Sequence, residues 1–180
     1  MSEIKFAVVG FGHIGRRHAT IVRDFPGASL VAIVESEPSL QEHTLYPKHV
    51  PFFQSIQDFF NARIPVDVVC ICTPNGLHIE HALQALDNKC HVVIEKPMGL
   101  TRQSCEQVVE KSLQVARHVF VVKQNRYSPP SKWLKQVVSD GTLGDILMVQ
   151  VNCYWNRDDR YYKKDSWKGT MALDGGPSEG

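Results

Sequence analysis

The run Val8-Val9-Gly10-Phe11-Gly12-His13-Ile14-Gly15 constrains this chain more than any other stretch. It places three glycines at Gly-x-Gly-x-x-Gly spacing directly after a β-branched run and at the start of a helical pattern. A strand that turns this tightly into a helix opens a βαβ unit, and the same alternation of short apolar runs and longer helical stretches continues to about Lys123. Strands are expected at 4–9, 30–34, 66–72, 91–94 and 119–123, and helices at 14–24, 55–61, 77–87 and 101–116. Ser55 and Thr101 stand where N-caps belong. A short helix near 38–44 and a short strand near 51–53 fill the gap between. Several strands are apolar without alternation, as strands covered by helices on both faces are. The expected fold class is therefore α/β, a doubly wound parallel sheet over residues 1–123.

After Lys123 the pattern changes. Ser128-Pro129-Pro130-Ser131 opens a helix to about Ser139, Gly141 stops it, and Asp145 precedes a long expected strand at 146–155. The stretch that follows is polar and aromatic and ends Asp174-Gly175-Gly176-Pro177-Ser178-Glu179-Gly180, so residues 124–180 read as an incomplete second unit. With 20 basic and 19 acidic side chains the net charge is +1, which speaks against binding nucleic acid through bulk charge. Five cysteines, Cys70, Cys72, Cys90, Cys105 and Cys153, are odd in number and lack paired CxxC spacing, which suits a reducing cytoplasm. Neither a signal-peptide core nor an apolar span of about 20 residues is present, so no membrane association is expected.

Each glycine of the opening motif has a physical task. Gly10 permits the tight turn, Gly12 lets backbone approach a pyrophosphate, and Gly15 lets the helix pack closely on the strand. The helix N-terminus adds free N–H donors. Glu35 ends the second strand 20 residues beyond Gly15, where a carboxylate accepts hydrogen bonds from an adenosine ribose. A carboxylate there repels a 2′-phosphate, and no Arg or Lys lies between Glu35 and Pro47, so NAD is favoured over NADP. In an open parallel sheet chemistry belongs beyond the carboxyl ends of the strands. There stand Thr73-Pro74-Asn75, Glu95-Lys96-Pro97 and Gln124-Asn125-Arg126-Tyr127. Thr73 and Asn75 offer neutral hydrogen bonds to a nicotinamide, or they form a turn leading into a helix with Asn75 as its cap. Pro97 restricts Lys96 and aims its ammonium group; a plain Lys-Pro surface turn is the alternative. Arg126 could grip a carboxylate or diphosphate, or stand solvated at a strand end. His78 and His81 have helical spacing for a metal but no third ligand nearby, so no metal is expected.

Taken in order, Val8 to Gly15, Thr73-Pro74-Asn75-Gly76-Leu77-His78 and Glu95-Lys96-Pro97-Met98 make the chain resemble the Gfo/Idh/MocA family of NAD(P)-dependent sugar and polyol dehydrogenases, from residue 4 to about 176. Val121 to Arg126, Tyr154-Trp155-Asn156-Arg157 and Trp167-Lys168-Gly169-Thr170 look most like its UDP-N-acetylglucosaminuronate 3-dehydrogenase branch. The resemblance implies a Rossmann domain followed by the truncated start of an α+β substrate and oligomerisation domain. It implies a soluble cytoplasmic enzyme, homo-oligomeric at full length, that oxidises a ring hydroxyl of a sugar, here a UDP-linked N-acetylamino uronic acid. Lys96 matches the family's catalytic Lys, which hydrogen-bonds the reacting hydroxyl. A free Lys has a pKa of about 10.4, so it needs desolvation or a nearby positive charge to act as a base. The bond before Pro97 is often cis in the family. The implied cofactor contacts are Gly10, Phe11, Gly12, His13, Ile14, Gly15, Glu35, Thr73, Pro74, Asn75, His78, Glu95, Lys96, Pro97 and Gln124; the implied substrate contacts are Lys96, Asn125, Arg126, Tyr127, Trp167 and Lys168. Two departures stand out. No residue here occupies the family's catalytic His position after the double glycine, and Lys168 stands where Arg is common. The rival expectations are a non-catalytic NAD-binding fragment, or a dehydrogenase of another sugar or inositol in the same family.

Overall fold

The computed structural model describes residues 3–164 and 166–176 of the chain. Six strands, β1 (Ile4–Val9), β2 (Ala28–Val34), β3 (Phe52–Phe53), β4 (Val68–Ile71), β5 (His91–Ile94) and β6 (Val119–Val121), form one sheet in the order β3-β2-β1-β4-β5-β6. Every neighbouring pair is parallel. The order reverses between β1 and β4, the switch point at which a Rossmann sheet opens its ligand crevice. The helices are α1 (His13–Asp24), α2 (Ile56–Asn61), α3 (His78–Asp87), α4 (Arg102–Val115) and α5 (Pro129–Ser139).

Side chains alternate across the sheet, and both faces are covered. Ala7, Val9, Val69, Ile71, Val92 and Ile94 pack against Phe59 of α2, Ala85 and Leu86 of α3 and Val108 of α4. Val8, Ile33, Cys70 and Cys72 pack on the other face with Phe11, Tyr46 and Ala19 of α1. Hence the strands read as apolar runs without alternation. The caps lie where the sequence puts them: Ser55 Oγ accepts the Asp58 N–H at 3.1 Å and Thr101 Oγ1 accepts that of Ser104 at 3.2 Å. The stretch near 38–44 is a 3₁₀ turn, Pro38–Glu42, rather than an α-helix.

Beyond β6 the structure departs from expectation in one element. No strand forms at 146–155: a ladder needs a partner, and no described residue supplies one, so Leu147 and Tyr154 are each 94% exposed. Residues 122–166 form one compact unit, and residues 167–176 group with those up to 121. Composition says nothing of the backbone bond from Gly76 N–H to the Leu173 carbonyl at 2.9 Å. No helix among the described residues is long and apolar enough to cross a membrane.

The buried cysteines are packing groups. Burial, with the Glu95 charge, pushes the Cys70 thiol up to about 12, and burial holds Cys72 well above its ordinary value, whereas Cys153 is exposed. A thiol at 12 is about one part in ten thousand thiolate at pH 8. Iodoacetamide at pH 8 is therefore expected to alkylate Cys153 in the folded chain and to reach Cys70 and Cys72 only in denaturant, read by peptide mass spectrometry.

Candidate functional site

The glycine turn is built by close backbone approach. Gly10 has φ +90°, and a Cβ on it would lie 2.7 Å from the Cys72 carbonyl carbon and oxygen at the end of β4. A Cβ on Gly15 would overlap the Gly10 carbonyl oxygen, which is how α1 comes to sit directly over β1. Gly12 faces open space, with nothing within 4 Å of its Cβ position. It is the N-cap of α1, no side chain caps that helix, and its first turn carries no acidic residue. These are the properties a pyrophosphate needs: donors, positive dipole and no competing carboxylate. Phe11 is fully buried against Tyr46, ring centroids 5.6 Å apart, so its ring is turned into the core. His13 is exposed at the first position of α1, and Ile14 packs partly into the core.

Glu35, directly after β2, turns back to this loop: its Oε2 accepts the Phe11 N–H at 2.7 Å while Oε1 accepts the Glu37 N–H at 3.0 Å. The carboxylate is thus held beside the glycine turn, where a ribose would lie. At the end of β4, Thr73 Oγ1 bonds His81 Nδ1 at 3.1 Å, and burial pushes the His81 imidazole below its ordinary value. Asn75 is buried and caps nothing; its Nδ2 donates to Asp174 Oδ1 at 2.9 Å. Pro74 is the cap position of the 3₁₀ turn Asn75–Leu77 that leads into α3.

His78 lies between two turns. Its ring is 1% exposed, with Nδ1 2.7 Å from the Pro97 carbonyl oxygen and Nε2 2.8 Å from that of Thr73. The ring thus lies between the Thr73 turn and the Lys96 turn and links them. Lys96 is exposed just past β5, and the Lys96–Pro97 peptide is cis. Glu95 beneath it is 8% exposed. Its Oε1 lies 2.8 Å from His18 Nε2, and its Oε2 accepts the Lys96 N–H at 3.3 Å. Burial pushes the Glu95 carboxyl up, but the hydrogen bond and charge of His18, with Lys96, outweigh it and hold the group below its ordinary value. His18 was missed by sequence reading. The available signal was its position on the inward side of α1, three residues after Gly15 and beside the buried Ala19.

Trp167 and Lys168 are half-buried and belong to the same unit as Lys96. Gln124, Asn125, Arg126 and Tyr127 form a 3₁₀ turn in the other unit. There Asn125, Arg126 and Tyr127, with Ser131 and Lys135, line an open cleft of about 640 Å³. No cluster of three or more His, Cys, Asp or Glu that could hold a metal occurs among the described residues.

A parallel sheet with its switch point at a glycine turn, a carboxylate after β2 and a lysine after β5 define a dinucleotide-dependent oxidoreductase domain. Residues 4–122 match the Gfo/Idh/MocA oxidoreductase family, NAD-binding Rossmann fold, and the chain belongs to that family. Among curated relatives, D-glucoside 3-dehydrogenase of Escherichia coli K12 is 29% identical over 151 residues, 82% of this chain and 42% of that protein. Among solved structures, the WlbA dehydrogenase of Bordetella pertussis in complex with NADH and UDP-GlcNAcA is 32% identical with a TM-score of 0.89, over 97% of this chain and 52% of that one. The Chromobacterium violaceum WlbA dehydrogenase with the same two ligands is 29% identical with a TM-score of 0.88, over 96% and 50%. The chain thus spans about half the length of the relatives it matches.

Because the Glu95 carboxyl titrates lower in the folded chain than in the unfolded one, its bonds stabilise the fold fully above about pH 4.5 and lose that contribution as pH falls through the lower folded value. Glu95→Gln is expected to cost about 1–3 kcal/mol near neutrality and to shrink with acidification, giving a flatter acid limb of melting temperature against pH by calorimetry. Parallel acid limbs in parent and variant would show that His18 and Lys96 do not hold this carboxylate.

Proposed function

We propose that this chain is the NAD-binding part of a sugar dehydrogenase that oxidises a ring hydroxyl of a UDP-linked N-acetylamino uronic acid, with Lys96 meeting the reacting hydroxyl. The observation that carries the cofactor half is the Glu35 carboxylate pinned to the Phe11 N–H at 2.7 Å beside an uncapped helix N-terminus. The Gly10 to Gly15 turn and α1 take the pyrophosphate, and Glu35 takes the adenosine ribose hydroxyls and rejects a 2′-phosphate. Thr73, Pro74 and Asn75 are assigned to the nicotinamide half. NAD when bound supplies the hydride acceptor.

The remaining work belongs to side chains. Lys96 orients the substrate hydroxyl by a hydrogen bond, and takes its proton once desolvation or a neighbouring cation has deprived the lysine of its own. Glu95 holds the Lys96 peptide, and His78 holds the Pro97 carbonyl, so the turn that aims the lysine is fixed at both ends. Arg126, with Asn125 and Tyr127, is the group for a carboxylate or diphosphate; the family resemblance assigns Trp167 and Lys168 to the substrate as well. The substrate class is supported by the two WlbA structures, whose ligands are NADH and UDP-GlcNAcA. The full-length enzyme is a homo-oligomer that takes no nucleic-acid or membrane partner. A second reading is an NAD-binding chain without turnover.

Calorimetric titration with NAD and NADP, alongside NADH formation on UDP-GlcNAcA, tests both. Saturable binding that favours NAD is expected. Glu35→Ala should weaken NAD by about tenfold or more while sparing NADP. Lys96→Met should abolish NADH formation with NAD affinity nearly unchanged. Equal losses for both nucleotides would remove the ribose argument, and NAD binding without any NADH formation would favour the second reading.

A further inference from the structure

Asp174 is buried to 1% exposure, 99 residues from the asparagine it holds. Asn75 Nδ2 donates to its Oδ1 at 2.9 Å and lies 3.3 Å from its main-chain carbonyl; the Gly169 N–H donates to its Oδ2. Beside this pair the Gly76 N–H donates to the Leu173 carbonyl at 2.9 Å, and a Cβ on Gly76 would overlap the Ala172 carbonyl oxygen. The segment is closed on itself by the Asp174 N–H on the Thr170 carbonyl at 2.9 Å. Burying a carboxylate is costly unless its oxygens are bonded, and a turn that merely closed itself could leave this one in water. Here the carboxylate is spent on the turn between β4 and α3, whose Thr73 nitrogen lies 2.9 Å from the place a Gly10 Cβ would occupy. An amide facing a carboxylate presents its NH₂, so Asp174 also sets which way Asn75 Oδ1 points.

We propose that Asp174 is a positioning residue that couples the segment 167–176, which bears Trp167 and Lys168, to the cofactor turn Thr73–Leu77, so that dinucleotide binding and the docking of that segment support each other. The inference rests on the reading of this crevice as an NAD site. It deepens that reading, because it makes the substrate-side residues sense cofactor occupancy through one buried carboxylate. Coupling between sites is reciprocal: the factor by which NAD stabilises the docked segment equals the factor by which the docked segment tightens NAD.

Hydrogen exchange of the Gly169 and Gly76 amides in the 180-residue chain, with and without saturating NAD, reads the first factor, and calorimetry reads the second. In the parent, NAD is expected to raise protection of both amides by about fivefold or more. In Asp174→Asn that gain should vanish, and NAD should bind more weakly by the same factor. Gly76→Ala, which displaces the Ala172 carbonyl without touching the carboxylate, should do likewise, and it carries the test if Asp174→Asn does not fold. A residue that merely stabilised the fold would lower protection equally with and without NAD and leave the NAD gain intact; that result overturns the proposal. So does a variant that loses the gain with NAD affinity unchanged. A parent chain that binds no NAD overturns the reading of the crevice itself, and this proposal with it.

Discussion

Two backbones meet at the mouth of this sheet because Gly10 and Gly15 have no side chains. Gly10 abuts the Cys72 carbonyl at the end of β4, and Gly15 abuts Gly10. If either carried a Cβ, α1 would have to lift away from the strands at the point where the sheet order reverses. Three other features depend on that closeness. The N-terminus of α1 faces the crevice; Glu35 reaches the Phe11 N–H; and His18, a turn and a half along α1, reaches Glu95 at the end of β5, two strands over from β1. A packing constraint of a few atoms therefore determines both the shape of the cofactor site and the surroundings of Lys96.

Around that contact the polar groups are organised as ties between loops. His18 joins α1 to the end of β5, His78 joins the turn after β4 to the turn after β5, and Asp174 joins the turn after β4 to residues 167–176. Each tie is wholly or partly buried, where a polar group left unpaired would be expensive and a paired one is strong. The result is a set of turns that would be mobile singly but are cross-braced, with Lys96 exposed at their edge. Such bracing suits the role proposed for Lys96, which needs hydrogen-bond distance to a substrate hydroxyl.

How much of this was legible in the sequence follows from the range of the forces involved. The strands at 4–9 and 91–94 have the boundaries expected of them, and Ser55 and Thr101 cap as expected, because β-branched runs and capping hydroxyls act on neighbours along the chain. The glycine motif, Glu35 and the Lys96–Pro97 turn were legible for the same reason: their spacing encodes a local turn. The long strand at 146–155 was not, since a strand exists through its partners and its own residues cannot supply them. The burial of the His78 ring between two carbonyls was not legible either, because its motif names the residue without saying which way the ring faces.

By itself the sequence determined the α/β alternation, the position of the glycine turn, the acidic end of β2 and the lysine after β5. These rest on periodicity, on backbone freedom at glycine and on proline's restriction of its neighbours, all of which act within a few residues. Only the tertiary structure decided that His18 would serve Glu95, that His78 would brace two turns, and that residues 167–176 would return to the first unit through Asp174 and Asn75. Those outcomes depend on burial and on pairing between groups 19 to 99 residues apart. A hydrogen bond at that separation leaves no periodic trace in the chain, and it forms only once the sheet has brought its two ends together.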